Sequence, residues 1–102
     1  MQPLGILNNL QCAIRDAYGC ECRYFGSVWV REVVDGLVAW AGIVEIFTLL
    51  NCPEAEHCYA WEDAEDGQNK VITVLCKSPV RSAQTAVQAA LAAKARQDGI
   101  AA

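Results

Sequence analysis

The sequence predicts an α+β domain, a four-stranded antiparallel sheet with two helices on one face, in the order α-β-β-β-β-α. Three observations carry this reading. Two dense apolar runs, SVWVREVV and LVAWAGIVEIFT, are joined by Asp35-Gly36, and both residues of that pair tolerate the positive φ that a type I′ hairpin turn demands. A second pair, Asp66-Gly67, separates two further strand-like runs, so consecutive strands are antiparallel. Segments with helical periodicity stand at either end of the chain. With 102 residues, 54% of them apolar, residues 1–102 form one domain with enough apolar mass for a single core.

The elements follow in order. Residues 4–18 read as a helix, because Leu7, Leu10, Ile14 and Ala17 recur at helical spacing and Gly19 is placed to end it. Residues 21–34 form the first strand, with a bend expected at Gly26, and residues 37–49 form the second. Pairing Val34 with Leu37 sets the register by counting: Val33 faces Val38, Val30 faces Ala41, Val28 faces Ile43, Ser27 faces Val44 and Phe25 faces Ile46. Trp29 then lies opposite Gly42, where an indole covers a residue with no side chain. Trp40 lies opposite Arg31, a pairing that permits cation–π stacking. Pro53 cannot donate to a ladder and stops the second strand.

Residues 57–63 form the third strand and residues 70–77 the fourth, around the turn Glu65-Asp66-Gly67-Gln68. Placing Glu65 opposite Gln68 puts Asp63 opposite Lys70, Trp61 opposite Ile72 and Tyr59 opposite Val74. An opposite-charge pair and two aromatic–β-branched pairs agree on that register. The last helix runs from Ala83 to Arg96, with Ser82 as N-cap and Asp98-Gly99 as its end. Ala83, Ala86, Val87, Ala90 and Leu91 give it a narrow apolar face, whose small residues let the helix lie close to the sheet.

Charge narrows the function classes. The net charge is −4 and the basic residues are scattered, which argues against nucleic acid or an anionic membrane as partner. Met1-Gln2-Pro3 lacks a basic leader region and no window is apolar enough to span a bilayer, so the expected location is the cytoplasm. The six cysteines read as buried reduced thiols, since the core needs no staples.

Chemistry-bearing residues are few. Cys20-x-Cys22 with Cys52, His57 and Cys58 has the atoms for zinc, but one intervening residue is poor zinc spacing, and no metal or other cofactor is expected. The register puts His57 opposite Cys76, where a histidine beside a thiol can generate a nucleophile; a strand-end histidine near a buried thiol is the plainer reading. Glu45 sits between Val44 and Ile46 and shares a face with Ile43 and Phe47. A carboxylate so placed can act as a general acid or base, or lie near a sheet edge or subunit boundary, paired with an Arg or reaching water, and the second is favoured. Trp29, Trp40, Tyr59 and Trp61 can pack a core, line a ligand groove or anchor a partner. Glu62 through Asp66 reads as a solvated turn without the spacing of a calcium loop.

Three stretches, Trp40-Ala41-Gly42-Ile43-Val44-Glu45-Ile46-Phe47, Cys58-Tyr59-Ala60-Trp61 and Ser82 through Ala90, resemble a family of short uncharacterised bacterial proteins with the pattern W-x-G-x-V-E-x-F, CYAW and a closing A-V-x-A-A helix. The resemblance covers most of the chain. It implies the same element order and no biochemical activity. In format the chain also resembles small proteins carried on mobile gene cassettes of integrons.

Two functional expectations result. The first is a non-catalytic interaction module, a homodimer formed by the apolar sheet face that the helices leave uncovered. The second is a small-molecule binding protein or small enzyme with a site near Glu45, His57 and Cys76, although this architecture is expected to leave little room for a pocket.

Overall fold

The structure, a computed structural model, describes residues 4–65 and 68–100; Met1-Gln2-Pro3 and the Asp66-Gly67 turn lie outside the described residues. Helix α1 spans Leu4–Tyr18, followed by strands β1 (Glu21–Val34), β2 (Leu37–Leu50), β3 (His57–Glu65) and β4 (Gln68–Leu75), and by helix α2 (Ala83–Ile100). The strands form one antiparallel sheet in the order β1-β2-β3-β4.

Local chemistry explains the boundaries. Gly19, at φ 71°, closes α1 by donating its N–H to the Arg15 carbonyl at 2.8 Å, a left-handed cap that glycine adopts without a Cβ penalty. The β1–β2 turn has φ 54° at Asp35 and 79° at Gly36, the type I′ geometry the dipeptide predicts. Ser82 caps α2: the Thr85 N–H donates to Ser82 Oγ at 3.2 Å and the Ser82 N–H donates to Thr85 Oγ1 at 2.9 Å, a reciprocal capping box. The helix continues past the expected stop at Asp98-Gly99 as far as Ile100, since a helical glycine costs only about 1 kcal/mol relative to alanine.

The two helices lie on opposite faces of the sheet, not on one. Leu10 and Ile14 of α1 pack on Phe47, Leu49, Cys58 and Ala60. Val87, Ala83 and Ala86 of α2 pack on Val44, Tyr59 and Trp61, the alternate residues of the same strands. The reason is in the strands themselves. β2, β3 and β4 are apolar on both alternations, so each face needs its own cover, and one helix serves each. The α1 face uses Leu7, Leu10, Ile14 and Tyr18; Ala17 is exposed, because the fourth residue after Ile14 completes the turn more closely than the third.

The β3–β4 register is as the pairs predict, with Asp63 opposite Lys70, Trp61 opposite Ile72 and Tyr59 opposite Val74. The β1–β2 register is not. Val34↔Leu37 and Val33↔Val38 hold, but a bulge at Ala39 shifts the middle by one residue, and a second at Phe25, beside Gly26, shifts it back at Tyr24↔Phe47. Between them Val28 faces Val44, Trp29 faces Ile43, Val30 faces Gly42, Arg31 faces Ala41 and Trp40 faces Glu32. The expected Trp40–Arg31 stacking is therefore absent: the two side chains lie on opposite faces. An indole does cover Gly42, but it is that of Trp40, whose ring lies 3.0 Å from where a Cβ would stand.

The β2–β3 ladder runs from Glu45↔Ala60 to Thr48↔His57, and the Leu49 N–H adds a bond to the Glu56 carbonyl at 2.8 Å. Toward the turns no further β2–β3 pair forms among the described residues, and the two hairpins meet there through Trp40 and Trp61. Among the described residues, no helix is long and apolar enough to cross a membrane.

Candidate functional site

The residues singled out in the sequence divide between the two faces. On the α1 side lies Glu45, 1% exposed. The Tyr24 hydroxyl donates to its Oε1 at 3.0 Å, while its Oε2 is buried with no hydrogen-bond partner among the described residues. On the α2 side lie His57, Tyr59 and Trp61, with Cys76 packed against the same cluster. The sheet itself separates Glu45 from His57 and Cys76, so the three do not share a site.

His57 and Cys76 meet through the backbone, the Cys76 N–H donating to the His57 carbonyl at 2.9 Å. Their side chains find other partners. The His57 ring packs edge-on against Phe25, centroids 5.2 Å apart. The Cys76 thiol accepts the Tyr59 hydroxyl at 3.5 Å. Burial, then this bond, pushes the Tyr59 phenol up to about 12, so it stays a neutral donor. The arrangement lacks the imidazole–thiol contact that would generate a thiolate.

The six cysteines are all free thiols. Burial pushes Cys58 up to about 12. Cys20 and Cys52 flank the paired ends of β1 and β2. A hydrogen bond between them holds Cys52 below the ordinary thiol value, helped by the backbone of Glu54 and Ala55, and raises Cys20 to about 11. Among the described residues, no three His, Cys, Asp or Glu side chains converge in a metal-holding group.

Two surfaces remain. The first is the α1 side of the β1–β2 hairpin. Cross-strand pairs Ser27–Glu45, Trp29–Ile43, Arg31–Ala41 and Val33–Val38 face this side beyond the end of α1. Trp29 is 64% exposed, and Tyr24, Ile43, Val33 and Val38 are also exposed. The second is a cleft of about 540 Å³ on the α2 side, bounded by Trp40 and Trp61, by β4 and by the middle of α2 from Val87 to Lys94. The two indoles stand 5.7 Å apart, tilted by 54°.

The cleft exceeds what the sequence suggests, and the reason is again the alanines. Ala83 and Ala86 do let α2 approach the sheet closely, and Gln84 and Gln88 fasten it to Glu32 by side-chain hydrogen bonds. Ala89, Ala90 and Ala93 are too small to fill the space toward β4. Glu32 was not legible as an anchor, because it reads as an exposed charge in an apolar strand. The chain matches no family model, no curated protein and no solved structure in the comparisons made.

Proposed function

We propose that the protein is a non-catalytic interaction module that self-associates through the bare α1-side strip of the β1–β2 hairpin. The observation that carries this reading is the run of exposed large apolar side chains, Tyr24, Trp29, Val33, Val38 and Ile43, on a single face that α1 does not reach. The original expectation of a wholly uncovered sheet face gives way to this smaller strip, since each face carries a helix.

A second copy suits the strip because the strip is self-complementary. A two-fold axis through the Trp29–Ile43 pair, perpendicular to the strands, lays the apolar row of one copy on that of the other. It also brings Arg31 of each copy over the Ser27–Glu45 row of its partner, beside the exposed Ser27. Burying the exposed part of each large side chain contributes about 1 kcal/mol, and doubling over two copies gives roughly 10 kcal/mol. Association itself costs about 4–15 kcal/mol. The two are of similar size, so any dimer this strip forms is weak and reversible.

Light scattering on a size-exclusion column tests this. At about 100 μM and under reducing conditions, the expected mass is twice the 11.1 kDa of one chain. Trp29→Glu should return the mass to that of one chain with an unchanged far-ultraviolet spectrum, because Trp29 supports no core contact. A monomer at that concentration, or a Trp29→Glu variant that remains dimeric, would overturn the reading.

A further inference from the structure

We propose that Cys20 and Cys52 form a dithiol–disulfide exchange site for low-molecular-weight disulfides of the glutathione type, with Cys52 as the attacking thiol and Cys20 as the resolving one. The site lies at the open end of the β1–β2 hairpin and is independent of the self-association strip.

The fold brings the two thiols together from separate parts of the chain. Glu21 and Leu50 are the last pair of the β1–β2 ladder; Cys20 stands one residue before Glu21 and Cys52 two residues after Leu50. Asn51, at φ 57°, turns the chain out of β2 between them. The two sulfurs are in hydrogen-bond contact, and both are free thiols. Cys20 is buried, while Cys52 is half-buried and packs against the Leu10–Ile14–Phe47 cluster. A disulfide needs Cα atoms about 4.4–6.8 Å apart, and facing residues of an antiparallel ladder are about 4.5–5.5 Å apart, so sulfurs in contact at a ladder's end can be bridged with little backbone movement.

The surroundings give the two sulfurs different tasks. Cys52 accepts a hydrogen bond from Cys20 and from the backbone N–H groups of Glu54 and Ala55, two and three residues on, as a side chain does when it caps a turn. Those donors outweigh burial and the nearby Glu54 carboxylate, and hold Cys52 below the ordinary thiol value. The thiolate is the nucleophile, and Cys52 is also the more exposed of the pair. Cys20 keeps its proton: the bond to Cys52, then burial, then the Cys52 charge push it up to about 11. The Tyr18 carbonyl, 3.6 Å from the Cys20 sulfur, is a second acceptor for that proton. Once Cys52 is held in a mixed disulfide it carries no charge, and both Cys52 contributions that keep the proton on Cys20 are gone. Cys58 is wholly buried and pushed up to about 12, and burial raises Cys22, so neither competes as nucleophile.

The exchange balances with the small disulfide as oxidant. The Cys52 thiolate attacks one sulfur of glutathione disulfide, the S–S bond breaks, and one glutathione leaves as thiolate. That thiolate recovers from solvent the proton that Cys52 had released. Cys20 then attacks the Cys52 sulfur of the mixed disulfide. The Cys20–Cys52 bond forms, and the second glutathione leaves with the Cys20 proton. Two electrons pass from the cysteine pair to the small disulfide, and the reverse steps reduce the pair again.

The test is thiol mapping of the folded, reduced protein after equilibration with glutathione disulfide, quenched in acid and alkylated. Digestion at arginine and glutamate separates Cys20 from Cys22 at Glu21 and Cys52 from Cys58 at Glu54, so each sulfur is read by mass on its own fragment. The expected result is a link between the Cys20 and Cys52 fragments, which takes up two of the six free thiols and is reversed by excess reduced glutathione. Cys20→Ala should stop at the mixed disulfide, with glutathione held on Cys52, and Cys52→Ala should leave Cys20 unmodified. Failure of the link to form, or a link joining another pair such as Cys12 and Cys22, would overturn the proposal. Glutathione held on Cys20 in Cys52→Ala, with Cys52 bare in Cys20→Ala, would overturn the assignment of roles. The wild-type map decides the pairing even where a variant fails to fold.

Discussion

At the residue scale, the Tyr24–Glu45 bond links β1 to β2 on the α1 side. The sequence singled out Glu45 by its apolar neighbours, and counting from the turn also sets Tyr24 opposite Phe47 on the Glu45 face, a pairing that is found because the bulge at Phe25 restores the count. Removing the donor leaves a buried acceptor oxygen unpaired, which costs about 2 kcal/mol. Tyr24→Phe should therefore lower the melting temperature by on the order of 10 °C. In a Glu45→Gln background the same change should cost measurably less, and an equal loss in both backgrounds would mean that ring packing, not the bond, is responsible. The thiols make a second prediction. Burial holds Cys58 up at about 12, against 9.0 for an ordinary thiol, and burial also holds Tyr59 up at about 12, against 10.0. The unfolded chain thus loses these protons at lower pH than the folded chain. Stability is fully present below about pH 9 and falls as the pH rises toward 12, by about 1.4 kcal/mol per pH unit for Cys58 alone. Urea midpoints at about pH 8 and pH 10.5 check this, and Cys58→Ala should flatten the slope.

At the element scale, what was legible depended on whether a strand pair carried its own register marks. Around the second turn, Asp63 with Lys70 and Trp61 with Ile72 fit only one alignment, and that alignment is found. Along β1 and β2 nearly every alignment sets apolar against apolar, so the pattern could not reveal two compensating bulges. The count is right at both ends of that hairpin and off by one between them. Gly26 marked one bulge, since glycine in a strand often does; Ala39 carries no mark of the other. Helix ends were readable because caps are local chemistry. Ser82 was identified as the N-cap, while Thr85, its reciprocal partner, was not, since the usual residue at that position is Glu or Gln. Ser82→Ala should destabilise the protein by about 1 kcal/mol in urea unfolding, and Thr85→Val by a comparable amount; no change in either would mean that packing of Ala83 and Val87 alone fixes the start of α2.

At the scale of the whole molecule, the sequence announced strands apolar on both sides, and the choice it left open was between a helix on each face and a partner on one. The structure takes the first option over β3, β4 and the lower part of β2, and leaves the upper β1–β2 hairpin with exposed apolar side chains, Trp29 and Ile43 among them on its α1 side and Val34 and Leu37 at its turn. The candidate site was legible in part for the same reason. Trp40 and Trp61 stood out as large aromatics, but the cleft beside them is made by what α2 lacks, and missing volume leaves no motif. The four residue pairs of the β2–β3 seam have a mechanical consequence. Two leaves share a short spine, and a helix clasps each side of it: Leu10 and Ile14 of α1 rest on Phe47 of one leaf and Cys58 of the other, and Ala86 and Val87 of α2 pack with Val44 of one and Tyr59 of the other. Held so, the two leaves set Trp40 and Trp61 5.7 Å apart on the α2 side, like the facing pages of a half-closed book.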